Sequence, residues 1–423
     1  ALDYRLIALG RTRDGQQNGT EEERWVVAPS ATWYIGDNSS LNLNAYYQDD
    51  PKAIPSTPLP AQGSLNEASY DQFDAETFVG DHNWGTVDKT VTMLGYKFNH
   101  DFSSDLTFLQ NFRYTSGELL QKNSYFTSNA HPVYGANLQG NNLRRYFYFT
   151  DEELSSFVVD NQLAYSFDIG NISNNALVGL EYHNVDFQWD YGDDYGLGAG
   201  SVIDLSDINN NQVDPDNMNF ENYAEYRDVQ EQQIGIYFQD EISFGNTTAV
   251  AGIRYDKYDA SDDFETSSAA LPADPDYNTN GKTEVDQDNI SLRLAAIHYF
   301  DNGLSPYASY SESYLPVVGN DFEGNALDPE TANQYEAGVK FGEGSNLELT
   351  AAAFWITKEN IKSYKTGVGY VQTGEVQSRG VELGGRVQLI ERLNLMANLT
   401  LMDVEITENE GTNEGNTPSW VAE

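Results

Sequence analysis

Residues 393–402 read LNLMANLTLM, which puts Leu393, Leu395, Ala397, Leu399 and Leu401 on one parity and Asn394, Met396, Asn398, Thr400 and Met402 on the other. A two-residue period of this kind belongs to a β-strand with one apolar and one mainly polar face. The alternation recurs in NISLRLAAIHYF (289–300) and in IGIYFQDEISF (234–244), where Asp240 interrupts it. Almost no helical period is sustained. Counting alternating runs predicts about fifteen strands. They fall near 1–11, 22–35, 40–49, 87–98, 105–116, 153–168, 175–190, 226–244, 247–259, 286–300, 304–314, 330–341, 346–358, 369–390 and 392–406.

The connections between these runs alternate in length. Short ones lie at 35–40, 98–105, 167–174, 244–246, 300–304 and 341–346, and long ones at 50–86, 117–150, 190–225, 260–285, 316–328 and 406–418. In an antiparallel meander this collects all the short turns at one end and all the long loops at the other. That is the layout of an all-β, antiparallel transmembrane outer-membrane β-barrel, whose strands need only about 9–11 residues to cross the bilayer. The run 369–390 is much longer than that, so part of the wall is expected to stand above the membrane. No uncharged apolar run is long enough for a spanning helix, and no compositional break divides residues 1–423, so one domain is expected.

Composition narrows the chemistry. With 66 Asp+Glu against 23 Lys+Arg, the formal net charge of −43 disfavours a nucleic-acid partner. There is no cysteine, which removes disulfides, thiolate metal sites and cysteine nucleophiles together. The G-x-S-x-G, H-E-x-x-H and phosphate-loop signatures are absent, so no catalytic residues are assigned. His82, His100, His131, His183 and His298 share no ligand spacing, and no metal site or resident cofactor is expected.

Three stretches resemble one family. Tyr307 to Ser313 (YASYSES), Pro329 to Lys340 (PETANQYEAGVK) and Gly374 to Glu382 (GEVQSRGVE) look like the barrel of TonB-dependent ferric-siderophore receptors, most closely the ferrichrome or hydroxamate type. Looser likeness runs from YRLIALGR (4–11) to NTPSW near the end. The resemblance implies a barrel of about 22 strands around a plug domain. Of that barrel this sequence would hold about fifteen strands, starting near the third, with the plug absent. It also implies an iron cargo arriving as a ferric siderophore, energy from the TonB–ExbB–ExbD complex through the plug, and outer-membrane lipid or lipopolysaccharide around the wall. The competing readings are a receptor of the same architecture for a catecholate siderophore, cobalamin or a glycan, and a secreted acidic β-rich adhesin or hydrolase.

A ferric hydroxamate is bulky and already coordinated, so a concave aromatic surface with a few polar tips suits it. The resemblance directs attention to Tyr125, Phe126 and Tyr134 in one loop, Tyr146 and Tyr148 in RRYFYF, and Trp189, Tyr191 and Tyr195 in FQWDYGDDY. Arg144 and Arg145 are expected to pair with Asp151, Glu152 or Glu153, unless they meet an anionic ligand or lipopolysaccharide phosphates. On the strand 369–390, Val381, Leu383, Val387 and Leu389 should face lipid, and Glu382, Arg386 and Gln388 should face the lumen and its plug. Gly380 is read as a bulge or as the point of entry into the bilayer band.

Overall fold

A computed structural model of the chain describes all residues except 71, 128–134, 273–277, 322–323, 343, 366–368, 410–412, 419–420 and 422–423. Fifteen strands form one antiparallel sheet in chain order. They are β1 (Leu2–Asp14), β2 (Glu21–Ile35), β3 (Ser39–Ala53), β4 (Thr86–Asp101), β5 (Leu106–Tyr125), β8 (Tyr146–Ile169), β9 (Ile172–Asp193), β11 (Tyr223–Phe244), β12 (Thr247–Ser267), β13 (Thr279–His298), β14 (Leu304–Leu315), β15 (Glu330–Phe341), β16 (Leu347–Lys365), β17 (Gly369–Ile390) and β18 (Leu393–Glu408). Each predicted run has its strand. A small second sheet joins β6 (Leu138–Gln139), β7 (Asn142–Arg144) and β10 (Val202–Asp204) in the order β10-β7-β6.

The apolar parity forms a continuous outer belt. Leu180, Phe238, Ile253, Leu292, Leu383 and Leu399 lie on it, and every one of them is exposed. Near the short turns the belt is bordered by Trp33, Tyr34, Phe102, Tyr165, Phe244 and Phe300, and higher up by Trp25, Tyr47, Tyr255 and Trp355. These are the two aromatic girdles of a membrane barrel. Asp240 sits on the same outer face near the short-turn end, between Ala176 and Ala251. The inner face is polar. Arg254 bridges Glu181 and Asp256, and Tyr237 donates to Asp160. The Tyr237 ring lies over Gly179 and leaves no room for a Cβ there.

Strand β17 behaves as its alternation requires. Val381, Leu383 and Leu389 point outward, while Glu382, Arg386 and Gln388 lie on the opposite, inner parity. Gly380 is not a bulge; the register shifts fall at Glu375/Val376 and Gln388/Ile390. It is a glycine because the Phe354 ring of β16 occupies the space above it, 2.7 Å from where a Cβ would sit.

Strands β5, β8, β9, β11, β12 and β13 run 20 to 24 residues and rise well past the belt, and their upper halves lose the apolar/polar alternation. On these upper walls three long loops condense into a tier with its own core. Val79, Leu143, Ile203 and Leu205 form one cluster, and Trp84, Phe147 and Val213 another. Beyond that tier, β13 pairs with β14 only over Arg293–Ile297. Above this seam Gln287 donates to the carbonyls of Val317 and Leu327, so the 316–329 loop fills the gap from the inner side.

Candidate functional site

The alternation that places Val178 and Leu180 on the outer face of β9 places Trp189, Tyr191 and Asp193 on its inner face. Register does the rest. Asp193 lies between Tyr148 of β8 and Tyr223 of β11, Tyr191 between Thr150 and Glu225, and Tyr146 lies opposite Tyr125 of β5. The result is a continuous aromatic surface on the inner wall beneath the loop tier. Tyr125 stacks on Tyr146 at 5.2 Å and meets Tyr148 edge-on at 5.8 Å; Tyr148 stacks on Tyr191, which contacts Trp189 and Tyr223. Tyr195 closes the group with an edge contact to Tyr146.

At its centre is Asp193, 2% exposed. It accepts hydrogen bonds from the Tyr125 hydroxyl (2.7 Å), the Tyr191 hydroxyl (2.9 Å) and the Tyr195 backbone N–H (2.7 Å). That last bond holds Tyr195 at φ 55°, a left-handed conformation that a bulky side chain rarely adopts. Among the described residues no Lys or Arg pairs with Asp193. Burial pushes its pKa up to about 6, against the hydrogen bonds that favour the charged form. A carbonyl-stretch infrared titration should therefore show a carboxylic acid appearing with a midpoint near 6 and disappearing in Asp193→Asn. A folded state that binds this proton more tightly than the unfolded chain loses stability as pH rises from about 4 through 6.

The other polar tips are also engaged. Tyr146 donates to Asn137 Oδ1 and Tyr223 to Glu225 Oε2, while the Trp189 indole donates to Thr150 Oγ1, which donates on to Glu152. Tyr148 accepts from Gln121.

Of the residues singled out by sequence, Tyr125, Tyr146, Tyr148, Trp189, Tyr191 and Tyr195 are brought together. Phe126 is not; it packs on the loop core beside Val79, Leu143 and Ile203. Tyr134 lies outside the described residues. The expected pairing of Arg145 with Asp151, Glu152 or Glu153 is wrong. Arg145 is 1% exposed and donates to the carbonyls of Val79, Gly80 and Gly200 and to Gln212 Oε1, with Asp81 at 3.7 Å. Arg144 donates to the Gly196 carbonyl. Sequence reasoning also missed Asp193, Thr150, Tyr223 and Glu225, although the parity of FQWDYGDDY puts Asp193 in line with Trp189 and Tyr191. Among the described residues no group of three or more His, Asp or Glu is placed to hold a metal ion.

The family described as TonB dependent receptor-like, beta-barrel, matches residues 29–423. The chain belongs to this TonB-dependent receptor barrel family. Its place is the bacterial outer membrane, and the family is one of receptors and transporters, not enzymes. It is 30% identical to the ferrichrome outer membrane transporter/phage receptor of Escherichia coli K12, over 99% of this chain and 56% of that protein. It is 29% identical to the ferrioxamine B receptor of Salmonella typhimurium SL1344, over 97% of this chain and 55% of the relative. The chain thus spans about half the length of the curated relatives it matches. The ferric-catecholate import receptor Fiu of E. coli K12 superposes with a TM-score of 0.80 at 18% identity, covering 99% of this chain and 63% of that one, a likeness of fold. In this TonB-dependent barrel the polar parity of the strands is the lumen side, and the tyrosine surface looks into the mouth of the barrel.

Proposed function

We propose that this chain supplies the wall and the ligand-facing loops of an outer-membrane importer of ferric siderophores of the hydroxamate type. The observation that carries this reading is the surface formed by Tyr125, Tyr148, Trp189, Tyr191 and Tyr195, backed by the buried Tyr146, which presents partly exposed rings and hydroxyl oxygens at the barrel mouth with carboxylates behind them. A ferric tris-catecholate is strongly anionic and calls for clustered Arg and Lys. Here the two cations nearest the cluster are both engaged: Arg144 donates to the Gly196 carbonyl, and Arg227 is held by Glu225 and Asp262. A neutral or cationic ferric hydroxamate meets no such conflict. The ferrichrome transporter and the ferrioxamine B receptor among its relatives point the same way.

In the full protein, Glu382, Arg386 and Gln388 of the inner wall would contact a plug through which the TonB–ExbB–ExbD complex acts, and the outer belt would contact lipid and lipopolysaccharide. Tryptophan-fluorescence titration of the full-length protein in detergent tests the ligand class. Ferrichrome or ferrioxamine B should bind with Kd of about 1 μM or tighter, and a ferric tris-catecholate about tenfold or more weakly. Preference for the catecholate, or failure of every ferric hydroxamate to bind, would remove the reading.

A further inference from the structure

The direction of the hydrogen bonds in the tyrosine surface has a chemical consequence. The hydroxyl protons of Tyr125 and Tyr191 point at Asp193, that of Tyr146 at Asn137 and that of Tyr223 at Glu225, while the Trp189 N–H points at Thr150. A phenol that donates to a carboxylate has its proton occupied and its oxygen enriched in electron density, so it presents lone pairs to whatever approaches. The ring faces add negative quadrupole on the same side. Behind them stand Asp193, Glu152 and Glu225; among the described residues only Glu225 of these three forms an ion pair, with Arg227, while Arg144 nearby donates to the Gly196 carbonyl. The surface is thus rich in acceptors and π-faces and backed by buried negative charge. That is the composition of an ammonium site.

We infer that, within the hydroxamate reading on which this rests, the surface selects ferric siderophores bearing a protonated amine, the ammonium being held by ring faces and by the Tyr125 and Tyr191 oxygens polarised by Asp193. Asp193 acts through the two tyrosines and is a positioning residue, since it is itself covered. The rings supply the contact and the carboxylate supplies the sign.

The test compares two ligands with the same iron centre on the unaltered full-length receptor: ferrioxamine B, a linear trihydroxamate with a terminal amine, and its N-acetyl derivative, which is neutral. The amine form is expected to bind about tenfold more tightly, the scale of one desolvated cation–π contact. In Asp193→Asn, and separately in Tyr191→Phe, the ratio of the two dissociation constants should fall to about twofold. A loss of packing alone would weaken both ligands together and leave the ratio unchanged. Equal affinities in the unaltered protein, or a ratio untouched by both substitutions, would overturn the inference while leaving hydroxamate binding intact. Binding of neither ligand would remove the hydroxamate reading and this inference with it.

Discussion

Arg145→Ala is expected to open the loop tier while leaving the barrel wall folded. The guanidinium is the point where three loops meet. It is carried by the 126–145 loop, donates to Val79 and Gly80 of the 54–85 loop, and donates to Gly200 and Gln212 of the 194–222 loop. Asp81 faces it at 3.7 Å and itself accepts from the backbone N–H groups of Asn83, Gln212 and Val213. Burial lowers the Arg145 pKa to about 10, opposed by Asp81 and Asp194, so the guanidinium is charged at neutral pH. Truncation leaves a buried carboxylate without its cation and the Val79 and Gly200 carbonyls without their donor, while Gly80 keeps Asn210, at a cost of about 3–5 kcal/mol. Hydrogen exchange should then accelerate by roughly two to three orders of magnitude at Asn83, Gln212 and Val213, with no change in β11 and β12 below the tier. Arg145→Lys should recover only part of the protection, because a single ammonium cannot reproduce the planar fork. Unchanged exchange at those three amides would show that the loops are held by their apolar clusters alone.

Leu383→Arg should impair assembly into the membrane, and the adjacent Glu382→Gln should not. Leu383 is 48% exposed on the outer belt, with Ala351 and Leu399 as cross-strand neighbours. An arginine there would sit in hydrocarbon at a cost of about 2–4 kcal/mol. Glu382 is one residue away on the lumen side, opposite Ala352 and Thr400, and its neutralisation should cost less than about 1 kcal/mol. Urea unfolding of the full-length protein from lipid vesicles measures both. Similar costs at the two positions would mean that the belt assignment on β17 is out of register by one residue.

The register of that strand shows how much of the fold is legible in the chain. A one-residue shift moves every side chain to the other face, so the parity of Val381, Leu383 and Leu389 against Glu382, Arg386 and Gln388 is readable wherever one face meets lipid and the other meets water. The signal fades where the wall leaves the membrane. Residues 117–125 of β5, 146–150 of β8, 260–267 of β12 and 279–285 of β13 read as loop because none of them alternates apolar with polar residues, Tyr146 to Phe149 being aromatic on both parities, yet they are strand. Above the bilayer, pairing with neighbouring strands fixes them without any apolar period to announce it.

The candidate site divides in the same way. Tyrosine and tryptophan at strand tops mark a candidate binding region by composition, and β9 carries Trp189, Tyr191 and Asp193 on one parity in the sequence itself. That Tyr125 and Tyr191 meet at one carboxylate depends on the register of three strands. Arg145 is the sharper case. Its sequence neighbours include three acids, but its partner is Asp81, reached only when two long loops fold over each other. Local period and turn length therefore determined the strand count, the two ends of the barrel and the face of each side chain, because these follow from the pleat and from lipid on one side. Only the tertiary structure decided the buried ion pair, the loop tier and the hub at Asp193, because each joins residues far apart in sequence, which no local pattern encodes.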